Sequence, residues 1–119
     1  MAIVSGARLA PLALCAALMP LSLSAAVTMT CEGDGWTLDL METQARLSFP
    51  SPTDMDIPHS VSAEGADWPK ALTLLGDRDT ASVLLHDRAC YGGSHEVQVL
   101  TQRAQTPILL QGCCQEATK

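Results

Sequence analysis

The hydrophobic residues of this chain recur at every second position rather than at every third or fourth. In "WTLDLM", apolar Trp36, Leu38 and Leu40 alternate with polar Thr37 and Asp39. The same alternation runs through "ARLSF", "KALTLLG", "ASVLLHD", "HEVQVLTQ" and "TPILLQGCC". Because successive side chains of a β-strand point to opposite faces of the sheet, this period predicts half-buried strands.

Short turn signals separate these alternating runs. They are "EGDG", "METQ", "GDRDT", "YGGS" and "QRAQT". Strands and turns at intervals of about 8–12 residues indicate an antiparallel all-β domain. We therefore expect a small barrel or sandwich of roughly seven to eight short strands.

Two stretches depart from the alternation. In "FPSPTDMDIP", Pro50, Pro52 and Pro58 cannot donate backbone hydrogen bonds to a central ladder, so a loop or a sheet edge is expected. "EGADWPKA" is the one candidate for a helical turn, which Pro69 would keep short.

The apolar members of the alternating runs form the predicted core. They are Trp36, Leu38, Leu47, Leu72, Leu74, Val83, Leu85, Val97, Val99 and Leu110.

The first residues have the three parts of a secretory signal peptide. Arg8 precedes an apolar stretch over residues 9–23, and small residues follow up to Ala26. The apolar stretch is shorter than the roughly 20 residues of a spanning helix. We expect a signal peptide over residues 1–26, a single β-rich domain over residues 27–119, and a protein of the periplasm or the exterior. Membrane contact would then occur only through the uncleaved signal.

Without Arg8, the domain over residues 27–119 has six basic and 13 acidic side chains, a formal charge of −7. Such a charge repels nucleic acid and anionic lipid, and a partner attracted by charge would be basic. We therefore expect no nucleic acid, and a basic envelope protein as the partner.

Cysteines are the next feature of the predicted domain. Cys15 falls within the signal, which leaves Cys31, Cys90, Cys113 and Cys114. An even number of cysteines in a short exported chain predicts two structural disulfides.

Strand alternation suggests how these cysteines pair. Cys31 and Cys114 share the phase of inward-facing residues, whereas Cys90 and Cys113 have the opposite phase. The pairing Cys31–Cys114 and Cys90–Cys113 follows. A β-bulge at the glycines after Cys90 would instead give Cys31–Cys113 and Cys90–Cys114.

Histidine and methionine residues provide the material for an alternative metal site. None of them has the spacing of a dedicated metal-binding motif, so neither a metal ligand nor a cofactor is expected. The residues are His59, His86, His95, Met29, Met41 and Met55.

Candidate catalytic residues fall in stretches that resemble turns. Paired carboxylates can serve glycoside hydrolysis, but Asp is also common in turns, where its side chain bonds the local backbone. Ser94 and His95 are adjacent without a nucleophile elbow around them. We therefore expect no catalytic residue and no enzyme. The carboxylate pairs are Glu32/Asp34, Asp54/Asp56 and Asp77/Asp79.

Three segments carry a resemblance to known proteins: "GWTLDL", "DWPKALTLLGDRDTASVLLHDRAC" and "VQVLTQRAQTPILLQGCC". Together they resemble a group of small exported alphaproteobacterial proteins. The order of an early Cys, a Trp strand, a later Cys–Gly turn and a terminal Gly-Cys-Cys also resembles wider periplasmic families that are similar to the membrane-bound inhibitors of c-type lysozyme. That resemblance implies a disulfide-linked β-barrel that binds rather than catalyses. That family has Ser-Gly ahead of a Tyr, whereas here Tyr91 precedes Gly92, Gly93 and Ser94, so no inhibitory residue is carried over.

These observations favour a non-enzymatic periplasmic binding module, with inhibition of a basic hydrolase as its more specific form. The alternative is a periplasmic metal-handling protein that uses histidine and methionine residues.

Overall fold

A computed structural model describes residues 26–117 of the chain. The predicted signal peptide, residues 1–26, lies outside this range apart from Ala26. The described residues form eight strands: β1 Met29–Gly33, β2 Trp36–Leu40, β3 Gln44–Ser48, β4 Pro52–Ser62, β5 Lys70–Leu75, β6 Thr80–His86, β7 His95–Arg103 and β8 Thr106–Glu116.

The eight strands form one closed antiparallel barrel. Each strand pairs with the next one along the chain, and β8 pairs back onto β1. Closure leaves no full-length sheet edge open to pairing with another chain. The all-β prediction is confirmed, and the architecture is a barrel rather than a sandwich.

The barrel interior holds the core that the alternation predicts. Of the ten predicted core residues, eight are buried; Leu72 and Leu110 are only partly buried, so their prediction was too strong. The core also includes Leu40, Ala45 and Met55.

Trp36 fills part of this interior against a pair of glycines. Gly33 and Gly112 face each other across β1 and β8, and the Trp36 ring lies over both. A Cβ atom at Gly112 would come 2.7 Å from the indole Cζ2. The two glycines therefore give the ring the space that any larger residue would occupy.

The expectation of a loop or sheet edge in "FPSPTDMDIP" was wrong for most of that segment. Residues 52–58 belong to β4, an 11-residue strand with a neighbour on each side of the barrel. Pro52 is tolerated because it is the first strand residue, and Pro58 because it falls at a register shift between Asp56 and His59.

The predicted helical turn in "EGADWPKA" is also not formed. Residues 63–69 make an irregular connection, and Lys70 already begins β5. The Ala63 N–H donates to the Pro69 carbonyl at 2.9 Å, which closes the loop at its base. Among residues 26–117, no helix is long and apolar enough to cross a membrane.

Candidate functional site

The cysteines form the two disulfides that strand alternation favours. Cys31 and Cys114 are direct cross-strand partners on β1 and β8, both fully buried, with Cα atoms 3.9 Å apart. Cys90 and Cys113 join the β6–β7 connection to the outer side of β8. All four thiols are thus consumed in bonds that fit an oxidising compartment.

The loop that carries Cys90 is held tightly against β8. The N–H of Gly93 donates to the Cys90 carbonyl at 3.1 Å, and the N–H of Ser94 donates to the Cys114 carbonyl at 2.9 Å. A Cβ atom at Gly93 would lie 2.7 Å from the Cys113 sulfur. The turn predicted at "YGGS" is therefore present, and it requires glycine at this point.

A buried histidine, surrounded by three contacting side chains, follows this loop. His95 is 6% exposed; its Nδ1 lies 2.8 Å from the Ser94 hydroxyl, and its Nε2 lies 3.5 Å from an Asp87 carboxylate oxygen. The Trp68 ring packs against the imidazole at a centroid distance of 4.7 Å, with the two ring planes tilted by 33°. The contacts of Asp87 and Trp68 with His95 were not predicted. Neither residue lies on the same strand as His95, and only the fold brings them to it.

This Ser–His–Asp chain contains the residue types of a nucleophile triad. A serine nucleophile also needs N–H groups directed at the oxyanion that forms on its substrate. The N–H groups of Gly93 and Ser94 instead donate to backbone carbonyls. The hydrogen bonds of these residues anchor the loop and the start of β7.

The other histidines lie apart from this cluster. His59 is exposed on β4, and the Nε2 of His86 lies 3.4 Å from the Gln98 amide oxygen on the outer side of the barrel. Met55 is buried in the core, and Met29 and Met41 are partly buried. Within residues 26–117, no three His, Cys, Asp or Glu side chains are grouped so that they could hold a metal ion.

Two of the three carboxylate pairs line one cleft. Asp54 and Asp56 lie on β4, and Asp77 and Asp79 lie in the β5–β6 turn. All four border a cleft of about 620 Å³, together with Arg78. We call it the acidic cleft. The third pair, Glu32 near the end of β1 and Asp34 in the turn that follows, does not line it.

The register of β4 explains why the two pairs meet. The first half of β4 pairs with β3, and pairing with β5 begins only at Asp56, opposite Leu75. The β5–β6 turn therefore folds beside the first half of β4. A Cβ atom at Gly76 would lie 3.2 Å from Met55 Cγ and 3.3 Å from the Asp54 carbonyl oxygen, which shows how closely the turn approaches.

One of the four carboxylates has a basic neighbour on the next strand. The Nε atom of Arg46, on β3, donates to Asp54 Oδ1 at 2.8 Å. This hydrogen bond, followed by the charge of the guanidinium, holds the pKa of Asp54 below its usual value. Both side chains are solvent-exposed, so the ion pair contributes little to stability and mainly fixes the orientation of the carboxylate.

No protein-family model, curated protein or solved structure matches the chain. Its function must therefore be inferred from the geometry and charge of its own residues.

Proposed function

We propose that this protein is a non-enzymatic binding module of the periplasm or the exterior, and that it recognises a basic protein through the acidic cleft. The supporting observation is that Asp54, Asp56, Asp77 and Asp79 border one cleft of about 620 Å³. The two pairs lie on separate parts of the chain, β4 and the β5–β6 turn, and the fold brings them together at one place.

Electrostatics supports a basic partner. A concave surface lined by one sign of charge raises the local concentration of an oppositely charged partner and speeds association. Arg78 lines the cleft and Arg46 pairs with Asp54, so the four carboxylates exceed the two guanidinium groups and the cleft keeps an acidic excess. The formal charge of −7 on residues 27–119 adds long-range attraction of the same sign.

The more specific form of this proposal is inhibition of a basic hydrolase. The disulfide-linked barrel and the resemblance to inhibitors of c-type lysozyme support it. A rigid barrel also suits such binding, because a surface held in place loses little conformational entropy on association.

The test is a kinetic binding experiment with purified c-type lysozyme as the basic probe. The association rate should fall as ionic strength rises, since the Debye length shrinks to about 8 Å at physiological salt. Asp77→Asn/Asp79→Asn should slow association by about three- to tenfold. The same complex is then assayed for hydrolysis of bacterial cell walls.

Glu32→Gln/Asp34→Asn is the matched control. It also removes two negative charges, from the end of β1 and the turn after it, which lie outside the acidic cleft. Equal slowing by both double variants would exclude the cleft as the site. Absence of binding to lysozyme and to cytochrome c, a second basic probe, would refute the basic partner. Binding without loss of hydrolysis would refute the inhibitor form alone.

A further inference from the structure

The two disulfides differ in how closely solvent approaches them. Cys31 and Cys114 have no exposed surface and pair in the middle of the β1–β8 ladder. Cys90 and Cys113 are both partly exposed. A thiolate breaks a disulfide by direct attack on one of its sulfur atoms, so the rate depends on access to that atom. Of the two bonds, only Cys90–Cys113 offers that access while the protein is folded.

A pocket leads to the accessible bond. Cys90 lines a pocket of about 340 Å³ together with Arg88, Glu96, Gln98 and Gln111. We call it the Cys90 pocket. Its volume lies at the lower end of the range for small-molecule sites, about 300–1,000 Å³, so it suits a small molecule rather than a folded protein. None of its lining residues lines the acidic cleft, so the two sites are separate.

The charges around the Cys90 pocket also suit a thiolate. Glu96 is the only acid among the lining residues, and the guanidinium of Arg88 pairs with it at 3.0 Å. The amides of Gln98 and Gln111 are neutral and can hydrogen-bond a polar ligand. The pocket therefore lacks the acidic excess of the chain as a whole, and no unpaired carboxylate in its lining repels an incoming anionic sulfur.

Hydrogen bonds hold the β6–β7 connection in place independently of its disulfide. Cys90 and Gly93 exchange two backbone hydrogen bonds of 3.1 Å, which close the turn between them. The N–H of Ser94 donates to the Cys114 carbonyl at 2.9 Å, which ties the end of the turn to β8. These bonds keep Cys90 beside Cys113 when the sulfur–sulfur bond opens. Opening therefore leaves the barrel folded and is reversible.

We propose that Cys90–Cys113 is a thiol–disulfide exchange site for a small thiol of the cysteine type. The thiolate of the small molecule attacks Cys90 Sγ, the sulfur–sulfur bond breaks, and Cys113 leaves as a thiolate that takes up a proton. The product is a mixed disulfide on Cys90. A second small thiolate attacks the mixed disulfide and releases Cys90 as a thiolate, so both cysteines are reduced and two small thiols are oxidised to one disulfide.

The exchange changes one exposed loop and leaves the barrel intact. Tyr91 lies at the tip of the β6–β7 connection, directly after Cys90, and is fully exposed. Opening Cys90–Cys113 removes the covalent link between this connection and β8. The buried Cys31–Cys114 bond continues to join β1 to β8. The site thus converts the thiol concentration of the compartment into mobility of the loop that carries Tyr91.

Treatment of the purified protein with L-cysteine tests the proposal. Free thiols are alkylated with iodoacetamide at successive times, and peptide mapping locates each modification. Cys90 should carry cysteine and Cys113 the alkyl group, at a rate proportional to cysteine concentration and independent of urea below the unfolding transition. Opening of Cys31–Cys114 should be at least about a hundredfold slower and should accelerate with urea, because it requires rare opening of the core.

A pair of variants tests the Cys90 pocket as the route of attack. Gln111→Trp places a large ring in the pocket and should slow the opening of Cys90–Cys113 by about tenfold, because it restricts access to the sulfur. Leu109→Trp is the matched control. It adds the same ring two residues earlier on β8, outside the pocket, and should react at the wild-type rate. Circular dichroism verifies that both variants fold.

Three outcomes would overturn the proposal. The first is that both disulfides open at similar rates that rise together with urea, which would mean that exchange occurs only through unfolding. The second is the loss of near-ultraviolet circular dichroism when Cys90 takes up cysteine, which would mean that the folded barrel does not tolerate opening. The third is equal slowing by both tryptophan variants, which would exclude the Cys90 pocket as the route.

Discussion

Removing each disulfide separately should cost unequal amounts of stability. Cys31–Cys114 joins residues 83 positions apart, and Cys90–Cys113 joins residues 23 apart. A cross-link restricts the unfolded chain more when it closes a longer loop. Chain entropy then gives about 4.5 kcal/mol for the first bond and about 3.4 kcal/mol for the second. Against a typical total of about 5–15 kcal/mol, either loss is large.

The difference between the two bonds is better determined than either value. The difference in stabilisation between the two bonds is 1.5RT multiplied by the logarithm of the ratio of the two loop lengths, or about 1.1 kcal/mol. The length-independent part of the loop entropy is the same for both bonds and cancels. Burial acts in the same direction. Cys31 and Cys114 are fully buried, so replacing both by alanine also removes core contacts. The gap between the two variants should therefore be at least about 1.1 kcal/mol.

Urea unfolding measures the difference directly. Trp36 and Trp68 provide the fluorescence signal, and equal slopes of free energy against urea show that the variants are comparable. Cys31→Ala/Cys114→Ala should lose more stability than Cys90→Ala/Cys113→Ala, or be unfolded without denaturant. Equal losses, or a larger loss for the second variant, would refute the reasoning from loop length and burial.

The remaining predictions concern the core, the ion pair and the β6–β7 connection. Leu74 is fully buried, so Leu74→Ala should cost about 2–5 kcal/mol in urea unfolding, and a loss below about 0.5 kcal/mol would contradict its place in the core. In a carboxyl NMR titration, Asp54 should show a pKa below the usual Asp value, and Arg46→Gln should return it towards that value. Because the folded-state pKa of Asp54 is lowered, the small stabilisation by its ion pair with Arg46 is complete above the usual Asp pKa and is lost as the pH falls through the lowered pKa. An unchanged Asp54 pKa in Arg46→Gln would refute Arg46 as the cause of the shift. Gly93→Ala should lower the melting temperature and slow formation of the neighbouring disulfide, because its Cβ would meet the Cys113 sulfur at 2.7 Å; wild-type values would show that the loop can move aside.

Local pattern was sufficient for most strands because side-chain direction within a strand depends only on position. The alternation in "WTLDLM" and "HEVQVLTQ" places Leu38 and Val97 on the apolar face of their strands. In the folded protein that face is the barrel interior, and both residues are buried there. The same rule separated Cys113 from Cys114 and thereby indicated their different partners. For these residues, the local sequence pattern and the final fold give the same side-chain direction.

The prolines of β4 show where local pattern is insufficient. A strand tolerates a proline wherever no neighbouring carbonyl needs a hydrogen bond from that position. Whether one does depends on the pairing with the neighbouring strands. Pro52 begins its strand and Pro58 lies at the register shift, and both facts arise from pairing with β3 and β5. Residue type alone predicts a loop, whereas the pairing permits a strand.

The sequence by itself determined the strand period, the disulfide count and the acidic charge of this protein, because each depends on residue type and spacing alone. The tertiary structure alone decided that β8 returns to β1, which closes a barrel instead of a sandwich. It also decided that Asp54 and Asp77 border one cleft. The physical reason is that cross-strand neighbours are set by register and closure between residues far apart in the chain, which no local spacing encodes.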